Sequence, residues 1–116
     1  MTLIYKIATT AQWRDAVAAG VFAGAPVDLA DGFIHFSSAT QVAGTLERHF
    51  AGQADLLVIT LDADALGDAL RWEPSRGGQL FPHLYAPLPV AAALAVQPIG
   101  VGADGQHVLP QLAAER

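Results

Sequence analysis

The chain has no cysteine, which removes disulfides, thiolate nucleophiles and cysteine-ligated zinc or iron–sulfur centres. Stability must come from packing, and the composition suits a reducing cytosol. Positive charge is also scarce. Six Lys and Arg stand against eleven Asp and Glu, for a net charge of −5 and a pI near 5.0. A broad phosphate-binding surface needs clustered basic residues, so an extended nucleic-acid surface is excluded. No run approaches the ~18 apolar residues of a membrane span, and the first residues lack the basic and apolar regions of a secretory signal. The expectation is a cytoplasmic protein without a membrane partner. Walker and Rossmann glycine patterns are missing, as is the Gly-x-Ser-x-Gly elbow of many serine hydrolases. His35, His49, His83 and His107 are far apart, and none sits at the i, i+4 spacing of a helical zinc pair, so no metal is expected.

What is present is a mostly apolar chain of 116 residues, 53% hydrophobic and 15% charged. That is enough for one domain over residues 1–116, with a core of its own. Leu3 to Ile7 alternates as a short strand. Thr9 and Gln12 form a capping box for a helix that runs to Ala19 and stops at Gly20. Val21 to Ala30 contains Gly24 and Pro26, shows no sustained period and is expected to be a connection. Ser38 and Gln41 read as a second capping box, for a helix over Ala39 to Phe50 whose buried stripe is Val42, Leu46 and Phe50. His49 then faces the helix C-terminus, where the dipole favours it. Leu56 to Leu61 is an unbroken apolar run, expected to be a buried central strand. Asp62 or Asp64 caps a helical turn through Leu66, halted by Gly67. Leu70 to Glu73 is a short strand ended by Pro74, and 75–78 is a tight turn. Val90 to Leu94 makes a helical turn, Ala95 to Ile99 a last strand, and a turn over Gly100 to Gly105 leads to a loosely held tail.

The chemistry centres on Asp31 to Ser38, reading Asp-Gly-Phe-Ile-His-Phe-Ser-Ser. Asp-Gly turns the chain, and a strand pleat then puts Phe33 and His35 on one face, with Ile34 and Phe36 on the other. An imidazole, two hydroxyls and a helix start meet in one place, suited to an anionic or ribose-bearing ligand. Two readings of His35 stand side by side: a hydrogen-bonded structural residue or a ligand contact. Ser37 and Ser38 are equally explained as caps, and Lys6 as a solvated edge residue or a phosphate contact. Glu73 and Arg76 flank a glycine turn, and His83 and Tyr85 lie in a segment braced by Pro82, Pro87 and Pro89. Together they supply a general acid or base, a cation for phosphate and an aromatic face.

Four motifs carry a resemblance over almost the whole chain: Asp-Gly-Phe-Ile-His-Phe-Ser-Ser, Asp-Leu-Leu-Val-Ile-Thr-Leu-Asp, Trp-Glu-Pro-Ser-Arg-Gly-Gly and Phe-Pro-His-Leu-Tyr-Ala-Pro-Leu-Pro. In this order and spacing the chain resembles the domain of unknown function 952 family. The resemblance implies an α+β fold like that of the ADP-ribosyltransferases, two small split, mixed β-sheets with flanking helices around an NAD-binding cleft. The order of motifs is also similar to that of RNA 2′-phosphotransferases that use NAD. Their His-Val-His-Leu-Ser motif is similar to Ile34 to Ser37, and their valine-rich strand ending in Ile-Asp-Ala to Leu56 to Ala63. Most of the arginines those enzymes devote to phosphate have no counterpart here. The resemblance implies a common cleft lined by Lys6, His35, Ser37, Ser38, Arg76, His83 and Tyr85. NAD is the expected cofactor; Glu73 and His83 are expected as the catalytic residues from their own chemistry, since no motif of the resemblance places Glu73 as a transferase's catalytic glutamate. In detail, His35 holds ribose hydroxyls, the serines lie near the nicotinamide, and Tyr85 stacks on a ring. The alternative is a noncatalytic ligand-binding or protein-interaction domain that keeps the fold, favoured if Trp72 and Phe81 are exposed side by side.

Overall fold

The computed structural model describes residues 1–112. In chain order the elements are β1 (Leu3–Thr9), α1 (Thr10–Ala19), β2 (Val21–Phe22), α2 (Pro26–Asp31), β3 (Ile34–His35), α3 (Val42–His49), β4 (Leu56–Asp62), β5 (Leu70–Pro74), β6 (Leu80–Leu84), β7 (Leu88–Pro89), β8 (Ala95–Val101) and β9 (His107–Val108). Short 3₁₀ segments cover Ala63–Ala69, Arg76–Gly78 and Val90–Ala92.

β1 and β4 pair antiparallel from Leu3 opposite Asp62 to Thr9 opposite Leu56. Their pleat sends Tyr5, Ile7, Leu56 and Val58 to one face of the sheet, and Ile4, Ala8, Ile59 and Leu61 to the other. The first face is covered by Val42 and Leu46 of α3, the second by Trp13 and Ala16 of α1 together with Phe22, Ile34, Leu84 and Leu88. Because β4 is buried on both faces, its sequence is continuously apolar. The sheets are β1-β4-β8-β9, β3-β6-β5 and the ribbon β2-β7. The expected α+β class is met, but the sheets are not mixed as expected. Among the described residues every pairing is antiparallel, since hairpins join β5 to β6 and β8 to β9 and no crossover returns a strand parallel to its neighbour.

The Thr9 capping box forms in full: Thr9 Oγ1 accepts from the Gln12 N–H at 3.0 Å, and Gln12 Oε1 accepts from the Thr9 N–H at 2.9 Å. The Ser38 box does not. Gln41 Oε1 accepts from the Ser38 N–H at 3.0 Å, but the Ser38 hydroxyl meets only Thr40 Oγ1 at 3.3 Å, and the Ser38 carbonyl takes the amides of Gln41 and Val42. The segment therefore turns once before α3 starts at Val42, later than the sequence implied. The two caps thus separate in a measurable way. Thr9→Ala should lower stability by about 1 kcal/mol and Ser38→Ala by less than about 0.5 kcal/mol. Denaturant melts of both variants check this, and equal losses would contradict it.

Two further expectations are corrected. Val21 to Ala30 is not an unstructured connection, since it contains β2 and α2. Pro26 opens α2, where its missing N–H is no loss, and the Asp28 carboxylate accepts from the Ala25 N–H at 2.7 Å. A six-residue helix is too short to print a period. Residues 106–112 are not loosely held either, and the rest of the expected tail lies outside the described residues. β9 pairs with β8, the His107 Nε2–H donates to the Gln53 carbonyl at 2.7 Å, and Leu109 and Leu112 pack on the α3 face.

Candidate functional site

β1 is an edge strand whose outer side meets the three-stranded sheet through one bridge. Tyr5 and Ser37 exchange N–H to carbonyl bonds, both 2.8 Å. Past that bridge the two sheets diverge, and a cleft of about 520 Å³ opens between them. This is the size of a small-molecule site. One wall carries His35, Phe36, Ser37, Phe81 and His83, another Thr45, His49 and Phe50. Ala25 to Val27 with Asp31, and Ser75 with Arg76, form the rim.

His35 and His83 face each other across the β3–β6 rung, their ring centroids 5.5 Å apart. Phe33 packs against both, stacked on His83 at 4.1 Å and tilted on His35 at 4.6 Å, as the predicted pleat requires. Each imidazole is anchored by a carboxylate. His35 Nδ1–H donates to Asp28 Oδ1 at 2.6 Å, while Nε2 stands 2.9 Å from Asp31 Oδ2. The His83 Nδ1–H donates to Glu73 Oε1 at 2.9 Å, and the Tyr85 hydroxyl donates to the same oxygen at 2.7 Å. Those two hydrogen bonds, that of Tyr85 first, hold the Glu73 carboxyl below its ordinary range, and Glu73 in turn raises the Tyr85 phenol. Among the described residues the other His83 nitrogen, Nε2, has no hydrogen-bond partner.

Lys6 is neither solvated nor free to meet a phosphate. Only 4% exposed, it donates to both Asp28 oxygens, at 3.1 and 3.0 Å. Burial lowers the Lys6 ammonium, against the pull of the Asp28 charge. Burial raises the Asp28 carboxyl, but the His35 hydrogen bond, the Lys6 charge and the Ala25 amide outweigh it and hold the group at about 2. Asp28 is the hub that ties α2, β1 and β3 together.

Of the seven residues expected to share a cleft, Lys6, His35, Ser37, Arg76 and His83 line it, whereas Ser38 and Tyr85 do not. The Ser37 hydroxyl is committed to Thr45 Oγ1 at 2.8 Å; Thr45 spends its own proton on the Gln41 carbonyl, so Ser37 is the donor. Tyr85 packs on Phe33 and under Arg71 and reaches the cleft only through Glu73 and His83. Glu73 likewise stands behind His83. Trp72 is 41% exposed and Phe81 is buried, and adjacent rungs of β5 and β6 send them to opposite faces, so they form no joint patch. Sequence reasoning missed Asp28, although Asp31 lies at i−4 from His35 and the short Asp28-to-His35 spacing was a readable signal. It also assigned His49 to the helix dipole without seeing that α3 turns it toward the cleft. Among the described residues no group of His, Asp and Glu is arranged to hold a metal ion, and no helix is long and apolar enough to cross a membrane.

The family model described as "Protein of unknown function (DUF952)" matches residues 7–96. The crystal structure of Protein CC0527 from Caulobacter crescentus is 48% identical with a TM-score of 0.88, covering 91% of this chain and 93% of that chain. The solution NMR structure of CC0527 is 49% identical with a TM-score of 0.81, covering 91% of each chain. No curated protein matches.

Proposed function

The chain belongs to the DUF952 family of proteins of unknown function, and from that premise we propose that its cleft binds an ADP-ribosyl compound, with NAD as the cofactor of a transferase-like site. The observation that supports this most is the meeting of two carboxylate-anchored imidazoles, His35 and His83, in the wall of a cleft of nucleotide size. His83, its Nδ1 fixed by Glu73, presents an open Nε2 in one orientation, the requirement for directed proton transfer. Both His35 nitrogens are spent on carboxylates, so it is the Asp31 carboxylate, held by His35 Nε2, that suits a ribose hydroxyl, and the aromatic walls Phe36, Phe50 and Phe81 suit a base. The two sheets around one cleft agree with an ADP-ribosyltransferase-like arrangement.

Bound there, NAD would supply an ADP-ribosyl group with nicotinamide as the leaving group, and His83 Nε2 would take the proton of the acceptor hydroxyl that replaces it. Glu73 orients His83 and stays ionised, and Tyr85 supports Glu73.

Calorimetric titration tests the binding. NAD and ADP-ribose should each give saturable heat at millimolar concentration or below. His35→Ala should weaken them by about 1–3 kcal/mol, because Asp31 loses the imidazole that holds its carboxylate toward the ribose. Silence from both ligands, with no thermal shift, removes the reading. Binding without any release of nicotinamide makes the protein a noncatalytic binding domain on the same fold.

A further inference from the structure

Arg76 is the cation of the cleft that the acidic chain leaves without a carboxylate, since Lys6, the other strong cation of the lining, is neutralised by Asp28. Among the described residues Arg76 makes no ion pair, and a single hydrogen bond at the outer limit of distance, Nη2 to the Gln41 carbonyl at 3.5 Å. Yet its guanidinium is held. It lies over the Phe81 ring, 5.0 Å from the centroid, and it also borders Gly44 of α3. A Cβ at Gly44 would stand 2.9 Å from Nη2 and 3.5 Å from Cζ. Glycine inside a helix is disfavoured relative to alanine. Here its φ is not positive, so no backbone conformation demands it. The space it leaves is what the guanidinium fills.

We propose that Arg76, held over Phe81 and beside Gly44, is a preorganised subsite for a single oxyanion, a phosphate group of the cleft's ligand, and that Gly44 is the residue that positions it. This rests on the nucleotide reading above for the ligand, but not for the anion. A guanidinium with nearly all its N–H donors unspent offers the fork that a phosphate takes. One such cation fits one phosphate group and leaves a second in solvent.

Inorganic phosphate, followed by the NMR shift of the Arg76 side chain, tests the subsite without any nucleoside. Wild type should show a saturable shift. Gly44→Ala should weaken phosphate binding about tenfold while melting at or above the wild-type temperature, because alanine suits the helix better. Arg76→Ala, which leaves the helix untouched, should abolish phosphate binding as measured by ³¹P line broadening. In the Arg76→Ala background, adding Gly44→Ala should change nothing further. The proposal is overturned if wild type shows no saturable shift, or if Gly44→Ala binds phosphate as wild type does. If phosphate binds as described and ADP-ribose does not, the subsite stands and the nucleotide reading falls. If ADP-ribose binds equally well to wild type and Arg76→Ala, the nucleotide reading stands and the subsite falls.

Discussion

Asp28→Ala should destabilise the protein by about 3–5 kcal/mol at neutral pH, the cost of leaving a buried charge without its partner. Lys6 is only 4% exposed, and Asp28 supplies both of its carboxylate contacts. The same side chain also accepts from the backbone N–H groups of Ala25 and His35 and from the His35 ring. Its loss unpins α2 from β1 and β3 together. Against a total stability of roughly 5–15 kcal/mol for a domain, this is a large fraction. Adding Lys6→Met should recover part of the loss, because it removes the orphaned charge.

The acid limb of stability carries the same signature. The Asp28 carboxyl is held at about 2 in the folded protein, against 3.8 ordinarily. Its folded value is depressed, so its contribution is complete above pH 3.8 and drains away as pH falls toward 2. The amount is roughly 2 kcal/mol. Chemical denaturation between pH 5 and pH 2 should therefore show a shallower slope for Asp28→Ala than for wild type. Parallel curves would mean that the hub does not couple to protons as its contacts require.

The second large effect concerns chemistry. On the proposed reading, His83→Gln should slow ADP-ribosyl transfer to an acceptor hydroxyl by about 10²- to 10⁴-fold, the range of a lost general base. His83 is buried, so stability must be followed in parallel, and the comparison is made per folded molecule. Glu73→Gln should cost less, since the amide oxygen still accepts from Nδ1–H. A rate unchanged in His83→Gln would remove His83 from the mechanism.

The scaffold was largely legible from the sequence because its signals are local. β1 announces itself by alternation, α1 by the Thr9 and Gln12 pair, and β4 by an unbroken apolar run. α2 was hidden because six residues hold less than two helical turns, and Pro26 reads as a breaker unless it is known to be the first helical residue. The late start of α3 depends on where the Ser38 hydroxyl points, which the capping pattern alone does not specify. His35 and His83 were expected in one cleft, but their pairing on neighbouring strands was not read, because the proline-braced segment around Pro82 carries no strand period. The commitments of Lys6 and Ser37 were not legible either, since Asp28 and Thr45 reach them only through tertiary packing. Gly44 gave no readable signal: a glycine within a helical period looks like a tolerated defect until its neighbour in space is seen.

Crystals soaked with ADP-ribose test the central claim most directly, since one map reports the place, the pose and the contacts. The account predicts the ligand in the cleft past the Tyr5–Ser37 bridge, a ribose hydroxyl within hydrogen-bond distance of Asp31, and one phosphate on the Arg76 guanidinium. Ligand bound elsewhere on the surface, with the cleft between the two sheets left without it, would contradict the account.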